Sequence, residues 1–498
     1  MIAAEPSVAR RHARSHSSSR LHHLAASLAA AGLLAACAGT PTPQAPGTAD
    51  GVPSQWQAPL PHQGQATDLA RWWQQFDDPT LAQLVDAAEK VSPTLASARA
   101  RVETARATRT AAGAALAPTL NGTASVVRGR QDFITPTGTT ASAGLQAAWE
   151  LDLFGANRAG RDAAQARLEG AQAGWHDARV SVAAETALSY VGLRACEALA
   201  EQTQTDAASR AQTARLTQLT AKAGFQAPAT EALARASAAQ ASAQLTAQRA
   251  QCDVNVKALV ALTGIDEPAL RSQLAARKAQ LPQPAEISVA AVPGEVLNQR
   301  PDLAAAARDL IAASADVSQA RAQRLPRISL SGSITAGRFD GGGIATNGSL
   351  WAIGPLSVSL PIFDGGTRAA NVQAARARYD EASSIYRGKL RNAVREVEEA
   401  LVQLQSTATR NEDARVAAEG FRASYTATES RFRGGLASLF ELEDSRRSAV
   451  QAESQLIDLR RERVAAWIAL YRALGGGWTA TDMNTAASSA ATSGAQAQ

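Results

Sequence analysis

Few side chains in this 498-residue sequence are equipped for chemistry, and those that are point to anchoring and cross-linking rather than turnover. Of six histidines, only His62 and His176 lie beyond residue 36, and neither stands near another candidate ligand. No Cys/His spacing matches a metal site, and no Gly-x-Ser-x-Gly elbow offers a nucleophilic serine. An enzyme is therefore not expected, and no catalytic residue, metal or cofactor is assigned. Three cysteines remain. Cys196 and Cys252 each lie 28 residues from Gly224. If Gly224 marks the tip of a helical hairpin, equal arms bring the two thiols side by side, within about one turn of disulfide reach. A disulfide between Cys196 and Cys252 is expected; the alternative is two separate small residues in a helical core.

The third cysteine, Cys37, ends a leader. "RRHARSHSSSRLHH" is basic, and Leu24–Ala36 is an apolar run of 13 residues, too short to span a bilayer as a helix. Small residues, Leu34-Ala35-Ala36, precede the cysteine. The segment resembles a bacterial lipoprotein signal, which implies cleavage before Cys37 and acylation of that residue. Ala38, rather than Asp, follows it, and the same resemblance then implies sorting to the outer membrane. Acyl chains anchor a protein without spanning the membrane. The leader also distorts the charge. The whole chain carries +5, but residues 1–36 hold four arginines and one glutamate, leaving 46 basic against 44 acidic residues beyond them. No basic patch supports a nucleic-acid partner.

The remaining elements alternate between two periodicities. Period-2 stretches occur as "TLNGTASV" (119–126), "LQAAWELDL" (145–153), "RISLSGSITAG" (327–337) and "LSVSLPI" (356–362). Each has one apolar face and one face of Ser, Thr, Asn, Gln or acidic residues. Gly- and Thr-rich segments between members of each pair, 128–143 and 337–349, read as loops. The second strand of each pair leads directly into a long Ala-rich helical pattern, about Arg158–Ala223 and Thr367–Arg433, each roughly 100 Å long at 1.5 Å per residue. Breakers follow at Gly224/Pro228 and at Gly434-Gly435, and the helices return to about Leu262 and Leu474. Shorter helices precede each first strand. Phe154 matches Phe363, Arg158 matches Arg368, and Pro118 matches Pro326, so the chain is a tandem duplication whose offset drifts only from 208 to 212. Open sheet edges are not tolerated in lipid, so four strands crossing a membrane must find further strands in other chains. The domains expected are a signal peptide (1–36), an acylated tether (37–65), a first repeat (66–265), a linker (266–300), a second repeat (301–478) and a disordered tail (479–498).

This order of elements resembles the TolC-like outer-membrane factors, in particular the lipoprotein branch that serves resistance–nodulation–division efflux pumps. "WWQQFDDPTLAQLV", "VPGEVLNQRPDLAAAARDL", "LPRISLSGS", "PIFDGG", "RFRGGLAS" and "ALGGGW" carry the likeness, over about residues 55–478. It implies a mixed α/β membrane protein: a trimeric, 12-stranded outer-membrane β-barrel, four strands per chain, continuous with a long periplasmic α-helical barrel. The function implied is a passive, gated exit duct for drugs or other small molecules, working with a periplasmic adaptor and an inner-membrane resistance–nodulation–division transporter. A duct for type I protein secretion has the same fold, and a periplasmic adaptor or coiled-coil lipoprotein is a further alternative. The family pattern puts gating carboxylates six and nine residues after the second tip glycine. Counted from Gly435, these are Glu441 and Asp444, on one helical face at i, i+3. Mutual repulsion across a trimer would raise their pKa values. The bland reading is two solvated acids paired with Arg446 or Arg447. Arg300-Pro301-Asp302 reads as fold-critical rather than chemical, with Pro301 in a first helical turn.

Overall fold

The computed structural model describes residues 53, 55–58, 72–74, 76, 78–130, 137–283 and 293–478. Cys37, His62, the leader, nearly all of the tether and the C-terminal tail lie outside the described residues. Among described residues the elements run α1 (Pro79–Val91), α2 (Pro93–Ala114), β1 (Thr119–Gly129), β2 (Gly138–Leu151), α3 (Ala156–Lys222), α4 (Pro228–Thr263), α5 (Glu267–Ala275), α6 (Pro293–Leu297), α7 (Pro301–Ala322), β3 (Arg327–Gly341), β4 (Ile344–Ser359), α8 (Thr367–Arg433) and α9 (Leu439–Ala473). The duplication is exact in element lengths where it matters: α2 and α7 have 22 residues each, and α3 and α8 have 67 each.

The chain divides into two units, each drawing on both repeats. The first includes Ala115–Gly160 and Ala315–Gln373. It is a four-stranded antiparallel sheet in the order β1-β2-β3-β4. Leu120, Ala147, Gly332 and Ile353 fall in one register row, and Leu145, Ile334 and Trp351 in another, so the apolar faces of all four strands coincide. Asn121, Gln146, Ser333 and Ala352 line up on the opposite face. The outer edges of β1 and β4 have no strand partner among the described residues.

The expected loops need correction. β2 begins at Gly138, well inside the 128–143 segment, and only Gly342 and Gly343 separate β3 from β4. Their φ angles of +59° and +81° are the left-handed pair that a two-residue hairpin demands, and glycine adopts them without steric cost. At the other end, β4 stops at Ser359, short of Leu360 and Ile362. Pro361 cannot donate to a ladder, which is consistent with that stop.

The second unit is helical, and no helix among the described residues is long and apolar enough to cross a membrane. Its main core gathers Trp72, Trp73, Phe76, Leu81, Tyr190, Leu193, Trp467 and Tyr471. Trp72 is fully buried and stacks on Tyr471 with ring centroids 5.0 Å apart. Arg194, also fully buried, donates to Tyr190 Oη (3.0 Å), Glu197 (2.7 Å) and the Leu274 carbonyl (2.9 Å), while Tyr190 donates to Asp78. Asp78 in turn caps α1 by accepting from Thr80 N. One buried polar network thus ties the start of α1 and the end of α5 to the middle of α3. Arg300 makes a second clamp: it donates to both Asp302 oxygens, to Glu396 and to the Ala473 carbonyl at the end of α9. Burial pushes Asp302 up, but the Arg300 hydrogen bonds and charge prevail and hold its carboxyl below the usual aspartate value. The "GGG" of "ALGGGW" lets the chain pass this clamp. At Gly475 (φ +83°) a Cβ would lie 2.1 Å from the Gln299 carbonyl oxygen.

Candidate functional site

The two hairpin tips are the places where repeated structure and unrepeated chemistry meet. α3 ends at Lys222, and Gly224 (φ +79°) turns the chain. Phe225 N donates to Thr220 O (2.9 Å) and Gly224 N to Ala221 O (3.0 Å). α8 ends in the same way: Gly435 has φ +75°, Leu436 N donates to Arg431 O (2.8 Å), and Gly435 N to Phe432 O (3.0 Å). Both are Schellman turns, in which a left-handed glycine satisfies the last helical carbonyls. Both expose apolar side chains: Phe225 is 83% exposed, and Leu436 and Phe440 are each 74% exposed.

The helices that leave the tips start differently. α4 begins at Pro228 behind Ala227, which offers no side-chain cap. α9 begins with a reciprocal capping box: Ser438 Oγ accepts from Glu441 N (3.2 Å), and Glu441 Oε2 accepts from Ser438 N (2.7 Å). Such a box satisfies two orphan amides of the first turn. The hydrogen bonds from Ser438, backbone first, hold the Glu441 carboxyl below the ordinary glutamate value, so this chain by itself lowers the pKa that mutual repulsion was expected to raise. Asp444 is exposed on the same side, and Arg447 approaches it only to 3.9 Å. Arg446 does not pair with either expected carboxylate.

Arg446 is instead buried, at 1% exposure, at the centre of a joint between the hairpins. It pairs with Glu443 and donates to Ser209 (3.1 Å), Thr213 (3.1 Å) and Tyr425 (3.4 Å). Arg210 of α3 bridges Asp206 (2.9 Å), Ser237 of α4 (2.7 Å) and Glu443 (2.5 Å). Side chains from α3, α4, α8 and α9 therefore share one network just behind the second tip. A small apolar contact, Ala234 with Leu439 and Leu442, lies beside it. The sequence reading missed this joint because Arg446 sits among the many Arg/Glu pairs of the helices. Further along the first hairpin, Cys196 and Cys252 are joined as a disulfide, with Cα atoms 5.6 Å apart, linking α3 to α4. Among the described residues no group of His, Cys, Asp and Glu could hold a metal ion.

A duplicated chain that pairs an open-edged membrane-type sheet with paired helices of this length has the organisation of an outer-membrane channel subunit. The model of the family described as outer membrane efflux protein matches residues 84–265 and 292–476, once per repeat, and the chain belongs to that family. It is 32% identical over 462 residues to the pyoverdine export outer membrane protein OpmQ of Pseudomonas putida, covering 90% of this chain and 96% of the relative. It is 32% identical over 459 residues to the outer membrane protein OprJ of Pseudomonas aeruginosa, covering 89% and 94%. Among solved structures, the outer-membrane channel OprN superposes with a TM-score of 0.79 at 30% identity, covering 88% of this chain and 99% of that one. The open state of the Neisseria gonorrhoeae MtrE outer membrane channel gives 0.77 at 26% identity, covering 89% and 99%.

Proposed function

We propose that three copies of this chain close a 12-stranded barrel in the outer membrane and form the passive exit duct of a tripartite efflux pump. One observation carries the reading: a sheet with two open edges and one apolar face, whose second and fourth strands each lead within a few residues into a 67-residue helix. An open edge in lipid leaves backbone groups unpaired at several kcal/mol each, so β4 of one copy must meet β1 of the next. The junctions after the strands agree. Phe154, after β2, is half-buried within the chain, whereas its counterpart Phe363, after β4, is 92% exposed and awaits the neighbour. The Ser-, Thr- and Gln-bearing faces then line a watery lumen.

The exposed apolar side chains at the tips, Phe225, Leu436 and Phe440, are suited to dock a periplasmic adaptor, through which an inner-membrane resistance–nodulation–division transporter would deliver cargo. Glu441 and Asp444, brought together from three copies, would form the cation-attracting constriction of the periplasmic gate. Cys37 would carry the acyl anchor, which intact-mass analysis of the mature N-terminal peptide reads directly. An unacylated N-terminus elsewhere would remove that element and leave the duct intact.

The test is reconstitution of the full chain in planar bilayers alongside a semi-native gel. A heat-dissociable trimer that conducts in discrete steps is expected. A monomer that never conducts would overturn the proposal.

A further inference from the structure

The two repeats bury different amounts of equivalent surface. α7 buries Leu303, Ala306, Leu310, Ala313 and Val317, whereas α2, its counterpart of the same length, buries only Leu95 and Ala98. The long helices differ in the same sense. "AAQARLEGA" from Ala163 in α3 matches "AARARYDEA" from Ala374 in α8, an alignment that also makes the two helices begin and end together. Ala163, Ala166 and Gly170 are buried, but their counterparts Ala374, Ala377 and Glu381 are exposed.

What covers α3 at this level is α7. Glu169 pairs with Arg308 at 2.9 Å. A Cβ on Gly170 would lie 3.4 Å from Arg308 Cβ and 3.5 Å from Asp309 Oδ1. Among the described residues the matching face of α8 has no such cover, and α2, the counterpart of α7, keeps a bare face. Applying the α3–α7 contact once more therefore seats α2 of a second copy on α8. In that contact Arg101 stands at the place of Asp309, Glu381 at the place of Gly170, and Asp380 at the place of Glu169. The charges complement each other across the contact. None of Arg101, Asp380 and Glu381 has a side-chain partner among the described residues.

We infer that the Asp380–Glu381 step of α8 receives Arg101 of the adjacent copy, so that each head-to-tail seam of the ring carries an ion pair that the chain cannot make with itself. Resting on the trimer reading above, this names the contact that selects the neighbour. One copy offers one bare α2 and one bare α8, which is the heterologous arrangement that closes into a ring rather than a two-fold dimer. A shift of one residue in the repeat alignment exchanges Asp380 for Glu381 and leaves the pairing intact.

Two experiments on the full chain test it. In the first, Arg101→Glu places like charge against both acids and is expected to speed thermal dissociation of the trimer about fivefold, on the scale of exposed ion pairs repeated over the seams. Glu381→Arg should do less, because Asp380 remains for Arg101. Combining Arg101→Glu with Glu381→Arg should restore most of the lost lifetime. A double variant no slower to dissociate than Arg101→Glu alone would overturn the pairing. In the second, Arg101→Cys combined with Glu381→Cys is oxidised in the membrane. Covalent dimers and trimers are expected from the double variant and neither from the single ones. Cross-linking confined to one chain, or none in a protein that still runs as a trimer, would overturn the seam while leaving the duct standing. A wild-type chain that forms no trimer would instead sink the duct itself.

Discussion

The two hairpins of this chain turn on the same glycine motif, yet only the second carries an acidic pair and a buried arginine behind its tip. Gly224 and Gly435 close their helices with the same pair of hydrogen bonds. Eleven residues past each glycine stands an arginine. Arg235 on the first hairpin is exposed, whereas Arg446 on the second is buried and reaches partners on two other helices, α3 and α8. Six and nine residues past the glycines stand Thr230 and Leu233 on one hairpin but Glu441 and Asp444 on the other. The first hairpin alone is stapled by a disulfide; Thr407 occupies the place of Cys196 in the second repeat. The difference teaches how a duplicated unit diverges: the turn, which is backbone physics, is kept, while stiffness is assigned to one copy and charge to the other.

That contrast can be broken first at Arg446. Arg446→Ala removes the buried cation beside Glu443, while Arg210 still bridges Glu443 and Asp206, so the loss should fall toward the lower end of the ~3–5 kcal/mol that removing one member of a buried pair costs. Arg235→Ala should stay within about 0.5 kcal/mol, as for exposed sites generally. Denaturant unfolding of the two variants in mild detergent checks the ratio; equal losses would mean that the joint contributes nothing. The next effect is the staple. Replacing Cys196 and Cys252 with serine should cost about 2–4 kcal/mol for a closed loop of this size, and reductant should lower the wild type to the same level without affecting the variant. Smaller again are the caps. Ser438→Ala should destabilise the start of α9 by about 1 kcal/mol. Ala227→Ser, which offers the first tip the cap it lacks, should stabilise α4 by no more than that; hydrogen exchange at Thr230 and at Glu441 reads both. The smallest effect is in pH. Because Ser438 holds the Glu441 carboxyl below the ordinary glutamate value, the contribution of the capping box is present above that value and is lost only once pH drops through the depressed one. Cation preference should accordingly survive as pH falls to the ordinary glutamate value, and its loss above that value would show that repulsion across the trimer outweighs the cap.

The long helices and their tips were legible in the sequence because Gly224, Pro228 and Gly435 interrupt otherwise unbroken helical patterns, and the duplication was legible from Phe154/Phe363 and Pro118/Pro326. The extents of the strands were not. Gly138 to Ala143 holds only small and hydroxylated residues, whose alternation carries almost no hydrophobic signal, and Gly337 to Ser349 is dominated by glycine and polar residues that read as a loop although Phe339 and Ile344 stand in the ladder. The left-handed pair Gly342-Gly343 was the available clue. The equal arms from Gly224 brought Cys196 and Cys252 together on paper, where helix geometry alone sufficed. Arg446 and Arg194 stayed hidden for the opposite reason. Their burial depends on which helices pack around them, and Arg235 and Arg446, the same residue at the same repeat position, meet opposite fates.

We propose that the second tip alone forms the constriction that cargo must pass. Single-channel recording of the reconstituted trimer tests it most directly, comparing Glu441→Ala/Asp444→Ala with Thr230→Ala/Leu233→Ala at the first tip. The account predicts that the acidic pair's removal abolishes cation preference and weakens block by divalent cations, while the first-tip variant conducts as the wild type does. Unchanged selectivity and block in the Glu441→Ala/Asp444→Ala channel would contradict it and place the constriction elsewhere.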